Sequence, residues 1–221
     1  MPSGGGAVVQ VQQARAGRDS TGEAPPGDLP SDGVDDAGLA ERAIALTALW
    51  IERGQRLDMQ GLADALGVSR VTVFRRVGGR EVIMGESLWV LAQQTLRAAE
   101  RRFEAAPYGR TRSAGVLEQF NTLIAAAPGL RCLLDREPAL ALRVLTDPRG
   151  LVQPRAVAAI ETLLRRDVSE SGLTLLVEPY DLSFALVRLC ESFLYADVLA
   201  SRTPDVAVAN RLQRALIENA S

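Results

Sequence analysis

Histidine is absent from all 221 residues. That removes the commonest general base and the commonest transition-metal ligand together. Cysteine is almost as scarce. Cys132 and Cys190 lie far apart within apolar runs, so no zinc site is expected, and both read as small core hydrophobes of a reducing compartment instead of a disulfide. Aromatic residues make up 5% of a chain that is 47% hydrophobic, so the apolar content is mostly Ala, Leu and Val, which favours helices over sheet. No apolar run approaches the ~18–20 residues that span a bilayer. The start, MPSGGGAVVQVQQ, lacks a basic segment followed by a long apolar one, so no signal peptide is expected and the cytoplasm is the expected location. Paired carboxylates and nucleophile motifs are missing too, so neither an enzyme nor a cofactor is expected. A net charge of −2 gives the whole molecule no electrostatic reason to bind nucleic acid; any such binding must be local.

Residues 1–34 are rich in Gly, Pro, Ser and Asp without a sustained period, and read as a disordered tail. Its Arg15 and Arg18 could touch DNA weakly, although a solvated linker is the plainer reading. Order is expected from about Asp35. Leu39, Ala43, Leu46 and Trp50 follow +4, +3, +4 spacing, which makes an amphipathic helix closed by Gly54. Asp58 suits the N-cap of a second short helix, in which Met59, Leu62 and Leu66 form one apolar stripe. Gly67-Val68-Ser69 is a tight turn, with Gly67 free to take the positive φ that ends a helix and Ser69 placed to cap the next. In that third helix, Arg70 to Val77, the spacing turns Val73 and Val77 inward. It leaves Arg70, Val71, Thr72, Phe74, Arg75 and Arg76 facing away from the core. Between Gly67 and Arg80 there are four arginines and no carboxylate, a local excess that suits a polyanion.

A long helix is expected from Arg80 to Glu104, long enough to leave the small bundle and enter a second domain. Further helices are expected over about 111–127, 130–137, 139–145 and 154–168, separated at Pro128-Gly129, Pro138 and Asp147-Pro148. Pro179 opens the most apolar helix, expected to run unbroken to Ala200 through Leu182, Leu186, Leu189, Phe193 and Ala196. A last amphipathic helix follows through Val208, Leu212, Ala215 and Leu216. No strand and no internal repeat is expected. The chain reads as all-α, with a tail (1–34), a helix-turn-helix domain (35–80) and a helical domain (81–221).

The stretch LADALGVSRVTVFRRVGGREVIM resembles the DNA-binding domain of TetR-type transcriptional regulators. It carries Leu-Ala, a Gly-Val-Ser turn, a Thr, an aromatic, a basic pair and a basic residue opening the fourth helix, in that order. This covers about 50 residues directly. ESFLYADVLASRTPD and GREVIMGESLWVLA look like the QsdR-type branch, regulators linked to degradation of quorum-sensing lactone signals. The resemblance implies that Arg70, Val71 and Phe74 meet base edges. Arg can pair bidentate with guanine, and Val or Phe can contact a thymine methyl. Thr72, Arg75, Arg76 and Arg80 would then hold phosphates. Family members often carry Tyr where this chain has Phe74, so the phosphate contact of that hydroxyl is lost here.

In the second domain Trp89, Phe120, Cys132, Phe184 and Tyr195 could line a cavity for a small apolar effector, though aromatics at helical spacing are more often plain core. Glu191, Arg188 and Asp197 sit amid Leu, Phe and Ala and need partners if buried. They could pair with one another, sit at a dimer seam, or, for Glu191, meet the effector. The family implies a homodimer on a palindromic operator in double-stranded DNA, joined through the last two helices. A helical hydrolase-like enzyme and a DNA-independent helical scaffold are the alternatives.

Overall fold

The structure is a computed structural model that describes residues 36–105 and 111–218. The tail expected over 1–34, with Arg15 and Arg18, lies outside the described residues. Every regular element among those described is a helix: α1 (Asp36–Glu52), α2 (Met59–Leu66), α3 (Arg70–Arg76), α4 (Arg80–Ala105), α5 (Arg112–Ala125), α6 (Pro128–Arg136), α7 (Pro138–Thr146), α8 (Val152–Ser171), α9 (Pro179–Leu194), α10 (Ala196–Ala200) and α11 (Val206–Glu218). None is long and apolar enough to cross a membrane.

The caps that the sequence indicates set the ends of α2 and α3. The Asp58 carboxylate accepts hydrogen bonds from the backbone N–H groups of Gln60 and Gly61, each at 3.1 Å. These are two of the amides that a helix start leaves without partners. Gly67 takes φ 71°, a left-handed conformation that costs a residue with Cβ strain, and so frees the chain to turn. Ser69 Oγ then accepts from Thr72 N at 3.0 Å. Leu39 and Ala43 of α1, Leu62 and Leu66 of α2 and Val73 of α3 are buried together, with Trp50 and Met59 packed at the edge.

That core does not stop at Arg80. The same cluster continues through Ile83, Met84 and Leu88 of α4 into Leu134, Ala141 and Leu194. Val34–Ser221 is one compact unit. The join is tight where α6 begins. A Cβ on Gly129 would lie 2.2 Å from the Ile51 carbonyl oxygen, so only glycine lets α6 press against the end of α1. Gly85 likewise lets Leu151 and Val144 approach α4. Asp167 of α8, almost fully buried, accepts from Ser113 N at 2.7 Å, and so caps α5 from another helix.

Two expectations are corrected. The helix expected unbroken from Pro179 to Ala200 is interrupted at Tyr195, where φ −106° and ψ 22° leave helical geometry. Tyr195 O accepts from both Val198 N and Leu199 N where α10 begins. A single residue leaving helical geometry does not disturb the spacing of apolar residues, so periodicity could not reveal it. In α11 the buried positions are Ala209, Gln213 and Ile217, whereas Leu212 and Ala215 face outward. Val208 and Leu216 of the expected stripe are half-buried, Leu216 packing against the core, so Leu212 is its one bulky residue left uncovered.

Candidate functional site

The first candidate surface is α3. Arg70, Val71, Phe74 and Arg75 are exposed, Val71 at 71% and Phe74 at 66%. Positions 70/74 and 71/75 are i, i+4 pairs, so these four side chains make one face. Val73, opposite, is fully buried and anchors the helix. Exposing a valine and a phenylalanine side by side on a short helix loses burial that a merely structural helix would keep.

The other expected contacts are placed differently. Thr72 is half-buried, and its hydroxyl hydrogen-bonds Ser69 Oγ at 2.8 Å, so it serves the cap of α3. Arg76 lies on the flank and pairs with Asp36 at 3.0 Å. Arg80 departs furthest. Its Nη1 and Nη2 donate to the two Glu137 oxygens at 2.7 and 2.6 Å, and its Nε donates to Leu57 O at 3.2 Å. Arg56 adds a bond to Glu137 at 3.1 Å. This fork ties the start of α4 and the α1–α2 loop to the α6–α7 corner, and the two cations hold the Glu137 carboxyl below its ordinary pKa. The resemblance implied a phosphate contact for Arg80, and a partner 57 residues further on leaves no local signal against it.

The second candidate site is a cavity of about 520 Å³ within the C-terminal helices. That size suits a small organic ligand. Leu88, Leu91, Ala92 and Thr95 of α4 form one wall; Phe120 and Ile124 of α5, Val152 and Ile160 of α8, and Val187 and Leu194 of α9 form others. Ile51 and Glu52, at the end of α1, also border it, so the helix-turn-helix bundle itself touches the cavity.

Of the six expected ligand residues, Phe120, Glu191 and Tyr195 line the cavity, and Trp89, Cys132 and Phe184 do not. Trp89 is one step, about 100°, round α4 from Leu88. Cys132 Sγ lies 3.4 Å from Gly54 O, at the α6–α1 junction. Phe184 is 43% exposed on the outside of α9. The residues missed are Asn121, Gln153, Cys190 and Gln213. Asn121 Nδ2 donates to Gln213 Oε1 at 2.6 Å and to Asn210 Oδ1 at 2.8 Å, while Gln213 Nε2 donates to Leu186 O. Gln213 stands between Ala209 and Ile217 on the buried stripe of α11, a pattern that small residues conceal.

Two charged groups border the cavity; Glu52 is exposed, whereas Glu191 is buried in the wall and only 8% exposed. Arg188 Nη1 donates to its Oε2 at 2.6 Å. Burial pushes its carboxyl up to about 7, against the pull of Arg188 and a hydrogen bond from Gln153. Cys190 next to it is pushed up to about 12, first by burial and then by the Glu191 charge. Asp197 pairs with Arg131 at 2.7 Å instead of joining this group.

Fold and sites together describe a helix-turn-helix regulator with an internal ligand cavity. Residues 108–218 match the family described as tetracyclin repressor-like, C-terminal domain. Among solved structures, the R. erythropolis transcriptional repressor QsdR from the TetR family is similar, with a TM-score of 0.70 and 29% identity. The match covers 81% of this chain and 94% of that one. Among curated proteins none matches. The chain belongs to the TetR family of transcriptional regulators and resembles QsdR within it. It is accordingly a regulator and not an enzyme.

Proposed function

We propose that this protein is a homodimeric repressor that grips a palindromic operator with α3 and lets go when a small apolar effector fills the cavity. The observation that carries the DNA reading is the outward face of α3, where two arginines flank an exposed valine and phenylalanine. Arg70 can read guanine and Val71 or Phe74 a thymine methyl, while Arg75 supplies phosphate attraction. On this reading residues 35–80 form the DNA-binding domain, and residues 81–221 the effector-binding and dimerisation domain. The protein works in the cytoplasm, on double-stranded DNA.

Dimerisation is supported by what the protomer leaves uncovered: Phe184 and Leu199 along α9–α10 and Leu212 on α11 are all exposed. Pairing these faces about a two-fold axis sets the two α3 helices at a fixed spacing, as a palindrome requires. The lever is α4, which begins beside α3 and carries Leu88, Leu91 and Ala92 into the cavity wall. An effector that binds better to a conformer with the wrong α3 spacing depletes the DNA-binding one, and needs only that difference in affinity. The QsdR resemblance points to a lactone or acyl-lactone as effector.

A titration of the full chain against the upstream region of its own gene tests this reading. The expected result is a salt-sensitive shift that added lactone reverses. If neither that region nor neighbouring promoters gave a salt-sensitive complex, the DNA-independent scaffold would replace the repressor.

A further inference from the structure

The arginine-rich face of α3 and an acidic stretch of the chain meet at one ion pair. Asp36, the first described residue, pairs through Oδ1 with Arg76 Nη1 at 3.0 Å, at the C-terminal end of α3. Residues 1–35 are thus tethered beside the outward face of that helix. From Asp19 to Asp36 the sequence holds six carboxylates, Asp19, Glu23, Asp28, Asp32, Asp35 and Asp36, and no lysine or arginine. From Gly67 to Arg80 it holds four arginines and no carboxylate. Two of those arginines are engaged within the fold, Arg80 by Glu137 and Arg76 by Asp36. Arg70 and Arg75 are exposed and pair with no carboxylate among the described residues. Val71 and Phe74 lie between them, 71% and 66% exposed. The acidic stretch interleaves its charges with apolar residues too, Leu29 beside Asp28 and Val34 between Asp32 and Asp35.

We propose that residues 19–35 fold back over α3 and compete with DNA for Arg70, Arg75 and the Val71–Phe74 surface. The proposal rests on the DNA reading of α3 above and adds a regulation to it. The segment offers what the operator offers, acceptor oxygens for arginine and apolar groups for valine and phenylalanine. Reach is sufficient. Arg70 lies about 9 Å along α3 from Arg76, and an extended chain covers ~3.3 Å per residue, so Asp32 can already span that distance from Asp36. Tethering supplies what exposed ion pairs lack in strength, because a segment held this close acts at an effective concentration of about millimolar. The DNA affinity of the protein is then that of the bare face divided by one plus the docking constant of the tail.

The test compares the full chain with a full-length variant carrying Asp19→Asn, Glu23→Gln, Asp28→Asn, Asp32→Asn and Asp35→Asn together. Asp36 stays because it holds Arg76. Each protein is titrated against DNA from the upstream region of its own gene over a range of salt. The variant should bind about three- to tenfold more tightly at low salt, the scale of two exposed ion pairs. That gap should close as salt screens the pairs. Docking is read separately, in wild type, by the rate at which an aspartate-directed endoprotease cuts before Asp28 and Asp32. Adding the DNA, or replacing Arg70→Ala and Arg75→Ala without DNA, should speed cutting by the same factor as the affinity gap, since both measure one docking constant. Equal DNA affinity of the two proteins overturns the competition and leaves the DNA reading standing. A gain in affinity without protection of the tail shows charges that only repel DNA from a distance, and overturns the docking. Cutting that DNA slows places the tail on DNA and overturns it as well. If neither protein binds that DNA at any salt, the DNA reading fails and the competition falls with it.

Discussion

Arg80 offers the sharpest choice between two physical roles. As a phosphate ligand it would add one ionic contact to DNA. As placed, it is a tie between the first three helices and the α6–α7 corner. Its two bonds to Glu137, at 2.7 and 2.6 Å, are short and bidentate, and the side chains are 27% and 15% exposed. A charge-assisted pair in that half-shielded setting is worth about 1.5–3 kcal/mol when one partner is removed, less than a fully buried pair and more than a surface one. Arg56, 70% exposed, adds at most a few tenths of a kcal/mol. Glu137→Ala and Arg80→Ala should therefore each destabilise the chain by about 2 kcal/mol, a fall in Tm of about 4–8 °C for a chain of this size. The double variant should cost little more than either single one, with a coupling of about 1–2 kcal/mol. The Glu137 carboxyl titrates below its ordinary value, so this contribution is complete above pH ~4.5 and disappears as pH falls through the lowered pKa. Urea denaturation of the four proteins at neutral pH supplies the cycle, and operator titration at several salt concentrations supplies the second reading. Additive single effects, together with a salt slope reduced by about one in Arg80→Ala alone, would show that Arg80 sits on phosphate and that the tie is incidental.

Four further outcomes are expected. Arg70→Ala should relax operator specificity at one base step at a cost of about 1–3 kcal/mol, whereas Arg75→Ala should weaken all sequences alike and flatten the salt slope by about one; competition binding on mutated operators separates them. Burial raises the Glu191 carboxyl to about 7, so the apo protein should lose stability as pH climbs from about 4.5 through 7; Glu191→Gln should be the more stable form near pH 8 and match wild type near pH 4 in thermal melts. Phe184→Glu combined with Leu212→Glu should yield a folded monomer by light scattering, because both side chains are exposed in the protomer; persistence of the dimer would move the interface elsewhere. Gly129→Ala brings a Cβ to 2.2 Å from the Ile51 carbonyl oxygen, so α6 must shift, at about 1–3 kcal/mol in a denaturation curve, and effector response in an operator release assay should weaken with it.

The helix-turn-helix was legible in the sequence because its determinants are local. Asp58, Gly67 and Ser69 act within three or four residues of themselves, and Val73 against Phe74 is decided by one step of helical period. The all-helical class followed from composition and spacing for the same reason. What the chain alone did not disclose depends on partners remote in sequence. Arg80 looked free until Glu137 was brought to it, and Arg76 until Asp36 was. Thr72 belongs with the local determinants, yet its role in the cap was hidden by its place among outward residues. Trp89, Cys132 and Phe184 looked as fit for a cavity as Phe120 and Tyr195, because which side of a helix faces a void is settled by how other helices pack around it. The cavity and the buried Glu191 carboxyl on its wall came from tertiary structure. So did the break at Tyr195 that sets this residue at the end of α9, which leaves the 3.6-residue pattern undisturbed. Local hydrogen bonding and periodicity wrote the elements into the sequence; long-range packing decided which charges are spent on holding them together and which remain to meet a ligand.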